Sequence, residues 1–296
     1  MRTRIKYSQN FLKDKGLIKS LLEKSTINKE DVVYEIGAGQ GIITEELLGK
    51  SGKVIAFEID ENLYNKLVQR FNNENSLELK LGNFLTNHLP NQPYKVFSNI
   101  PFNITSAIVK KLTLADNPPN DAYLIIQKEA ANKFIGKPED KSNSLLSILI
   151  RSQFNITIFH RFNRNDFFPR PSIDVVMLQI QKYNKPLVSA QDRLLFFDFV
   201  TYAYSQFKPN ILKGLSAVMN ENNIIGIARL EGFTVTSKPS QLELDNWIAL
   251  FQSFKENLNK RQKGKIAGAY RNLQEQQENL QKIHRTRVDK DWKKFS

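Results

Sequence analysis

The stretch Val32-Val33-Tyr34-Glu35-Ile36-Gly37-Ala38-Gly39-Gln40-Gly41 reads as a buried strand that breaks at once into a glycine turn, with a helix opening near Ile42. Glycines in such a turn let the backbone approach a ligand closely where a side chain would collide. The spacing is GxGxG, and position 42 is Ile where the dinucleotide fingerprint needs its third glycine, so a pyrophosphate cradle is the weaker reading. A bare structural turn is the plain alternative.

Outward from this turn, a second strand over residues 54–57 ends at Glu58, Ile59 and Asp60. Glu58 stands about 20 residues after Gly37, where a carboxylate at the strand tip can take both hydroxyls of a ribose. Asp60 is better placed as the cap of a helix over 61–71. Residues 77–81 make a third strand, followed by Gly82 and Asn83, whose side chain can meet the adenine of a bound cofactor. Residues 94–98 make a fourth, and strand-like runs recur at 122–126, 154–159 and 175–180, with helical stretches at 128–135 and 144–151. About seven strands with helices between most of them predict a doubly wound α/β sheet, whose ligands sit outside the carboxyl ends of the strands. Gly37, Glu58, Asn83 and Asn99 all fall at such ends, so four separate coincidences would be needed to dismiss them.

The fourth strand leads into Asn99, Ile100, Pro101 and Phe102. An amide, a backbone carbonyl beside a rigid proline and an aromatic face suit a planar base with an exocyclic amine. The Asn99 oxygen and the Ile100 carbonyl can accept both amine protons, while Phe102 stacks on the base for ~1–3 kcal/mol. Pro101 fixes its own φ and holds Ile100 extended, so the acceptors are set before substrate arrives. Asn before X-Pro is also an ordinary turn. Near the N-terminus, Gln9 and Asn10 set against Phe11 and Leu12 form a segment able to lie across the mouth of a cleft, ahead of a helix running to about Ser25. Between the last two strands, Phe167, Phe168, Pro169, Arg170 and Pro171 make a stiff loop that either stacks a base opposite Phe102 or plugs the core.

The 296 residues are 41% hydrophobic, enough for a real core, and no apolar run approaches the ~20 residues that span a bilayer. Arg2, Arg4 and Lys6 precede no apolar segment, so no signal peptide is expected. With no cysteine, disulfides and thiolate metal sites are excluded and the cytoplasm is the expected compartment. His88, His160 and His284 are too scattered to suggest a metal site. Lys and Arg outnumber Asp and Glu by 43 to 30, and the net charge of +13 favours a polyanionic partner such as nucleic acid. After Lys185 and Pro186 the pattern turns wholly helical; Leu244, Trp247, Phe251 and Phe254 repeat at core spacing. From Glu256 onward, 11 Lys and Arg face 5 Asp and Glu, and Leu273 and Leu280 are too few to seat a helix firmly. That tail is either solvated or an arm that touches phosphates.

Residues 8–12, 35–41, 58–60 and 99–105 together resemble the motifs of the Erm and KsgA family of rRNA adenine methyltransferases, and the resemblance spans about residues 5–255. It implies a Rossmann-like class I methyltransferase sheet with a small C-terminal all-helical domain. The implied domains are 1–185 for S-adenosylmethionine binding and catalysis, 187–255 for RNA binding, and 256–296 as a basic tail. It implies cofactor contacts from Asn10, Leu12, Gly37, Glu58, Asn83 and Asn99, and a target adenine held by Asn99, Ile100 and Phe102. The family's aromatic before Pro-x-Pro points to Phe167 on the far side of the base, with Phe168 as the alternative. Two positions depart from the family: Asn83 stands where Asp is usual, and Phe102 where Tyr is usual. The Ile of Asn-Ile-Pro and the compact helical domain favour the Erm branch, implying 23S rRNA as partner, a monomer, and resistance to macrolides, lincosamides and streptogramin B. The alternatives are a KsgA-like 16S rRNA dimethyltransferase and, in another class, a non-catalytic nucleic-acid-binding protein on the same fold.

Overall fold

A strand with apolar side chains on both faces, as in residues 32–36, is stable only between two layers of helix. The computed structural model, which describes residues 10–139 and 142–286, shows that arrangement. Ser8, Gln9 and the basic residues before them lie outside the described residues, as do 287–296.

The elements run β1 (Phe11–Leu12), α1 (Lys15–Lys24), β2 (Val32–Ile36), α2 (Ile42–Lys50), β3 (Lys53–Glu58), α3 (Glu61–Arg70), β4 (Leu77–Leu81), β5 (Lys95–Asn99), α4 (Thr105–Thr113), β6 (Asp121–Gln127), α5 (Lys128–Ile135), α6 (Leu145–Arg151), β7 (Phe154–Arg161), β8 (Phe167–Phe168) and β9 (Val175–Lys182). Seven strands form one sheet in the order β4-β3-β2-β5-β6-β9-β7, parallel from β4 to β6, with β9 reversed between β6 and β7. This is the expected doubly wound sheet. The short antiparallel pair β1 and β8 is additional, and at two residues each it is too brief to leave a pattern in the sequence. Helix starts follow local chemistry: Asp14 accepts from Leu17 N to open α1, and Asp60 accepts from Asn62 N and Leu63 N to open α3, as its position predicts.

Two compact units emerge, Met1–Gly136 with Gln153–Asn184, and Lys137–Ser152 with Lys185–Ser296. The second differs from the expected boundary by taking residues 137–152 from the interior of the first. The reason is packing: α6 buries Ile148, Leu149 and Ile150, and Asn143 Nδ2 donates to the Leu242 carbonyl at 2.7 Å. The rest of that unit is α7 (Arg193–Ser205), α8 (Ile211–Leu215), α9 (Glu221–Leu230), α10 (Leu244–Glu256), α11 (Lys260–Ile266) and α12 (Ala269–Thr286). Phe196, Phe199, Trp247, Phe251 and Phe254 are its core, in mutual ring contact, so the aromatic repeat of α10 packs inward. Among the described residues no helix is long and apolar enough to cross a membrane.

The tail from 256, read as either solvated or an arm and as too poor in apolar residues to seat a helix firmly, nevertheless forms α11 over 260–266 and α12 over 269–286. Few apolar residues are needed because the seat is specific. Ile266 is fully buried, Tyr270 sets its ring edge-on to Phe197 at 5.1 Å, and the Asp198 carboxylate of α7 accepts from Gly268 N and Tyr270 N, both at 2.9 Å. A carboxylate borrowed from another helix thus satisfies amides at the start of α12. Asp198→Ala should lower stability by about 1–2 kcal/mol in urea unfolding, the usual worth of a helix cap, and should expose α12 to limited proteolysis first. Unchanged stability and cleavage would show that Ile266 and Tyr270 suffice.

Candidate active site

The pairing of β2 with β3 runs to Ile36↔Phe57, but its pairing with β5 stops at Tyr34↔Val96. Nearer the strand tips, Ile36 N donates to the hydroxyl of Ser98 at 2.6 Å instead of to a carbonyl. The side chain acts as a spacer, so the two strands part at their carboxyl ends. That gap lies where the strand order reverses, the switch point at which open α/β sheets bind ligands. A cleft opens there, lined by Asn10, Phe11, Gly37, Asn99, Ile100, Pro101 and Phe102.

The glycines of the turn sit in different surroundings. Gly37 has φ +81°, and a Cβ built on it would meet nothing nearer than Pro101 Cδ at 3.9 Å, so its backbone faces open space in the cleft. Gly41 has φ +79°, and there a Cβ would strike Leu67 at 2.7 Å and Phe71 at 2.8 Å, so it is needed for α3 to close on the turn. The two glycines thus differ: packing requires Gly41, while no side chain crowds the backbone at Gly37. Gly37 N and Ala38 N share the Phe57 carbonyl at 2.8 and 3.0 Å, which locks the turn to β3.

Glu58 is 1% exposed at the tip of β3. Its Oε2 accepts from Gly39 N at 2.7 Å, and its Oε1 accepts from Ile59 N and Asp60 N at 2.8 and 2.9 Å. A carboxylate offers about four lone-pair sites. Three are filled by backbone amides, which leaves room for one ribose hydroxyl rather than the two-fold grip expected from the sequence. Glu35, one strand over, is equally buried and accepts from Thr44 Oγ1 at 2.6 Å. Burial, opposed by that hydrogen bond and reinforced by the charge of Glu58, pushes its carboxyl up to about 8.

Asn99 is fixed by a bond from its Nδ2 to the Asn10 carbonyl at 2.7 Å, which turns its Oδ1 the other way. Ile100 is 1% exposed and Phe102 is half-buried at the cleft wall. Of the residues singled out in the sequence, Asn10, Gly37, Asn99, Ile100 and Phe102 thus meet in one cleft, with Glu58 bonded to the turn beside it. Three do not join them. Leu12 is 3% exposed and belongs to the hydrophobic core, so it supports the cleft without lining it. Asn83 is exposed and accepts from Leu85 N at 3.0 Å, capping a short 3-10 turn outside the lining. Phe167, the preferred aromatic opposite Phe102, is 1% exposed and stands edge-on to Phe162 at 5.3 Å, whereas Phe168 is 69% exposed. The β1–β8 register explains the correction: Leu12↔Phe167 faces the core, and Phe11↔Phe168 shares the other face with the cleft-lining ring of Phe11. Ser98, which the sequence reading did not single out, shapes the cleft through its bond to Ile36 N; its only signal is a polar residue within an apolar run.

A model of the family described as Ribosomal RNA adenine dimethylase matches residues 1–256. Among curated proteins, the chain is similar to the Ribosomal RNA small subunit methyltransferase A of Mycoplasmopsis pulmonis (strain UAB CTIP), 28% identical over 85% of this chain and 98% of that protein. It is 32% identical to the protein of the same name from Aster yellows witches'-broom phytoplasma (strain AYWB), over 83% of this chain and 93% of the relative. Among solved structures, the 23S rRNA methyltransferase ErmE superposes with a TM-score of 0.74 at 24% identity, over 83% of this chain and 100% of that one. A dimethyladenosine transferase from Plasmodium falciparum superposes at 0.67 and 22% identity, over 83% and 98%. At those identities the structural likeness is one of fold.

The raised carboxyl of Glu35 has a signed consequence. A group that binds its proton more tightly folded than unfolded costs stability as pH rises from the unfolded value, about 4.5, toward the folded one. Relative to Glu35→Gln, which keeps an acceptor for Thr44 without a charge, the native protein should lose stability steadily from pH 5 to about 8 and level off above. Urea unfolding of both proteins across that range measures the gap. A gap independent of pH would mean that Glu35 is ionised throughout.

Proposed function

The chain belongs to the ribosomal RNA adenine dimethylase family, and from that premise we propose that it methylates the exocyclic N6 amine of an adenine in small-subunit (16S) rRNA. It is a methyltransferase, and S-adenosylmethionine is its cofactor. The 16S target is favoured because the curated relatives that align along nearly their whole length are small-subunit enzymes by name. The 23S target and the macrolide, lincosamide and streptogramin B resistance expected from the sequence have the weaker support, since the likeness to ErmE is one of fold. An rRNA substrate keeps the work in the cytoplasm.

The observation that carries the reading is the pinned Asn99 amide at the mouth of the β2/β5 cleft. The amine of adenine is a poor nucleophile because its lone pair is delocalised into the ring. Asn99 Oδ1 and the Ile100 carbonyl accept its two protons, draw the nitrogen toward tetrahedral geometry and aim its lone pair into the cleft. Both acceptors are held in advance, one by Asn10 and the other by Pro101, so little reorganisation is needed. Phe102 stacks on one face of the base. Phe168 takes the other in place of Phe167. The backbone at Gly37, the remaining lone pair of Glu58 and Asn10 would hold the cofactor, which supplies an electrophilic methyl group when bound. The proton leaves to solvent after transfer. An amine buried in a duplex cannot reach this cleft, so the target is an unpaired or flipped adenine.

Protein-free 16S and 23S rRNA incubated with labelled cofactor, followed by mapping of the modified adenine, tests the proposal. Label on 16S supports it, label on 23S restores the Erm reading, and label on neither favours a non-catalytic binder. Asn99→Ala should lower methyl transfer by about 10²–10³-fold, the usual effect of removing one preorganised polar contact, while calorimetry shows cofactor affinity reduced much less. Equal loss of both would move Asn99 from the target to the cofactor. Phe168→Ala should impair transfer with the fold intact. Phe167→Ala should instead cost about 3–5 kcal/mol of stability, as buried aromatics do. The reverse pattern would return the stacking role to Phe167.

A further inference from the structure

The family match ends at residue 256, yet α11 follows directly and is held in a defined orientation. Ile266 is fully buried and Lys265 Nζ donates to the Ala217 carbonyl at 2.8 Å. At roughly 100° per residue, Ile266 and Gln262 mark the seated face, Lys260, Arg261 and Gly264 turn away from it, and Lys263 and Lys265 flank it; all five of these positions are exposed.

Three features show that this ridge is not arranged for helix stability. Lys260 and Arg261 occupy the first turn, where the helix dipole disfavours positive charge, and no acidic residue offsets them there. Lys260, Arg261 and Lys263 form no ion pair with a described residue, unlike Lys213 and Lys255 in the same unit. Gly264 costs about 1 kcal/mol of helix propensity relative to alanine, and a Cβ there would meet nothing within 4 Å, so packing does not require it. A bare backbone between cations leaves space for a bulky anion to come close.

We propose that Lys260, Arg261 and Lys263 of α11 form a phosphate-binding ridge for the rRNA substrate, outside the part of the chain shared with the family. The inference rests on the reading of the protein as an rRNA methyltransferase. It replaces the picture of a trailing arm with a short, seated helix whose three cations are all exposed. Because the ridge contacts backbone phosphates, it adds affinity without reading sequence.

The test compares the native full chain with Lys260→Gln/Arg261→Gln/Lys263→Gln for binding to protein-free 16S rRNA at several salt concentrations. Removing three phosphate contacts should flatten the dependence of log K on log salt by about 2–3, at roughly 0.7–0.9 per contact, and weaken binding at least tenfold at moderate salt. Methyl transfer at saturating RNA should be unchanged, since no residue of the cleft is altered. Lys260→Arg/Lys263→Arg should bind as the native chain does. Parallel salt lines with equal affinity, in a protein that methylates the RNA normally, would overturn the ridge alone. A native chain that methylates no rRNA would instead overturn the proposed function.

Discussion

The hydrogen bond from Ile36 N to the Ser98 hydroxyl is the constraint on which the site depends. A parallel sheet in which chain order reverses has to open between the two strands at the reversal, and an amide at that opening still needs an acceptor. A carbonyl would hold the strands together to their tips. A serine side chain satisfies the amide while letting β2 and β5 separate, so that the glycine turn lies on one bank of the cleft and Asn99 on the other. Replacing that hydroxyl would leave a buried amide without a partner, a loss of about 1–3 kcal/mol, beside the cleft.

The two buried acids flanking the turn show how one structural problem is solved in two ways. Glu58 is surrounded by three backbone amides, which stabilise its charge and fasten the turn at Gly39 and the entry to α3 in the same act. Glu35 has only the Thr44 hydroxyl, and burial raises it until it is largely protonated near neutral pH. A turn fastened in this way does not have to be ordered by its ligand, and the Asn99–Asn10 bond does the same for the substrate side. In the reaction proposed above, preorganisation on both banks would take the place of a dedicated base.

The sheet was legible in the sequence because its signals are local: runs of buried strand residues ending in glycine, acid or amide, and a helix opened by Asp60. The strands found lie within two residues of those expected, and the four strand-end residues do fall at one edge. What local signals could not carry is what a polar atom is already doing. Asn83 reads as a free amide but its oxygen caps a 3-10 turn. Glu58 reads as a ribose carboxylate, yet most of its capacity belongs to the turn. Residues 137–152 read as part of the sheet domain, yet Asn143 and the buried face of α6 join the helical unit.

By itself the sequence determined the α/β class, the helical second unit, the family resemblance and the cluster of Gly37, Asn99, Ile100 and Phe102, because strand and turn propensities are properties of neighbouring residues. Tertiary structure alone decided three things. Register against β1 buried Phe167 and left Phe168 exposed, since successive side chains of a strand face opposite ways and only the pairing says which way is in. Asp198, far away in the chain, turned a polar tail into a seated pair of helices. Ser98 opened the cleft by taking the place of a backbone acceptor, a substitution that exists only once two strands distant in sequence lie side by side.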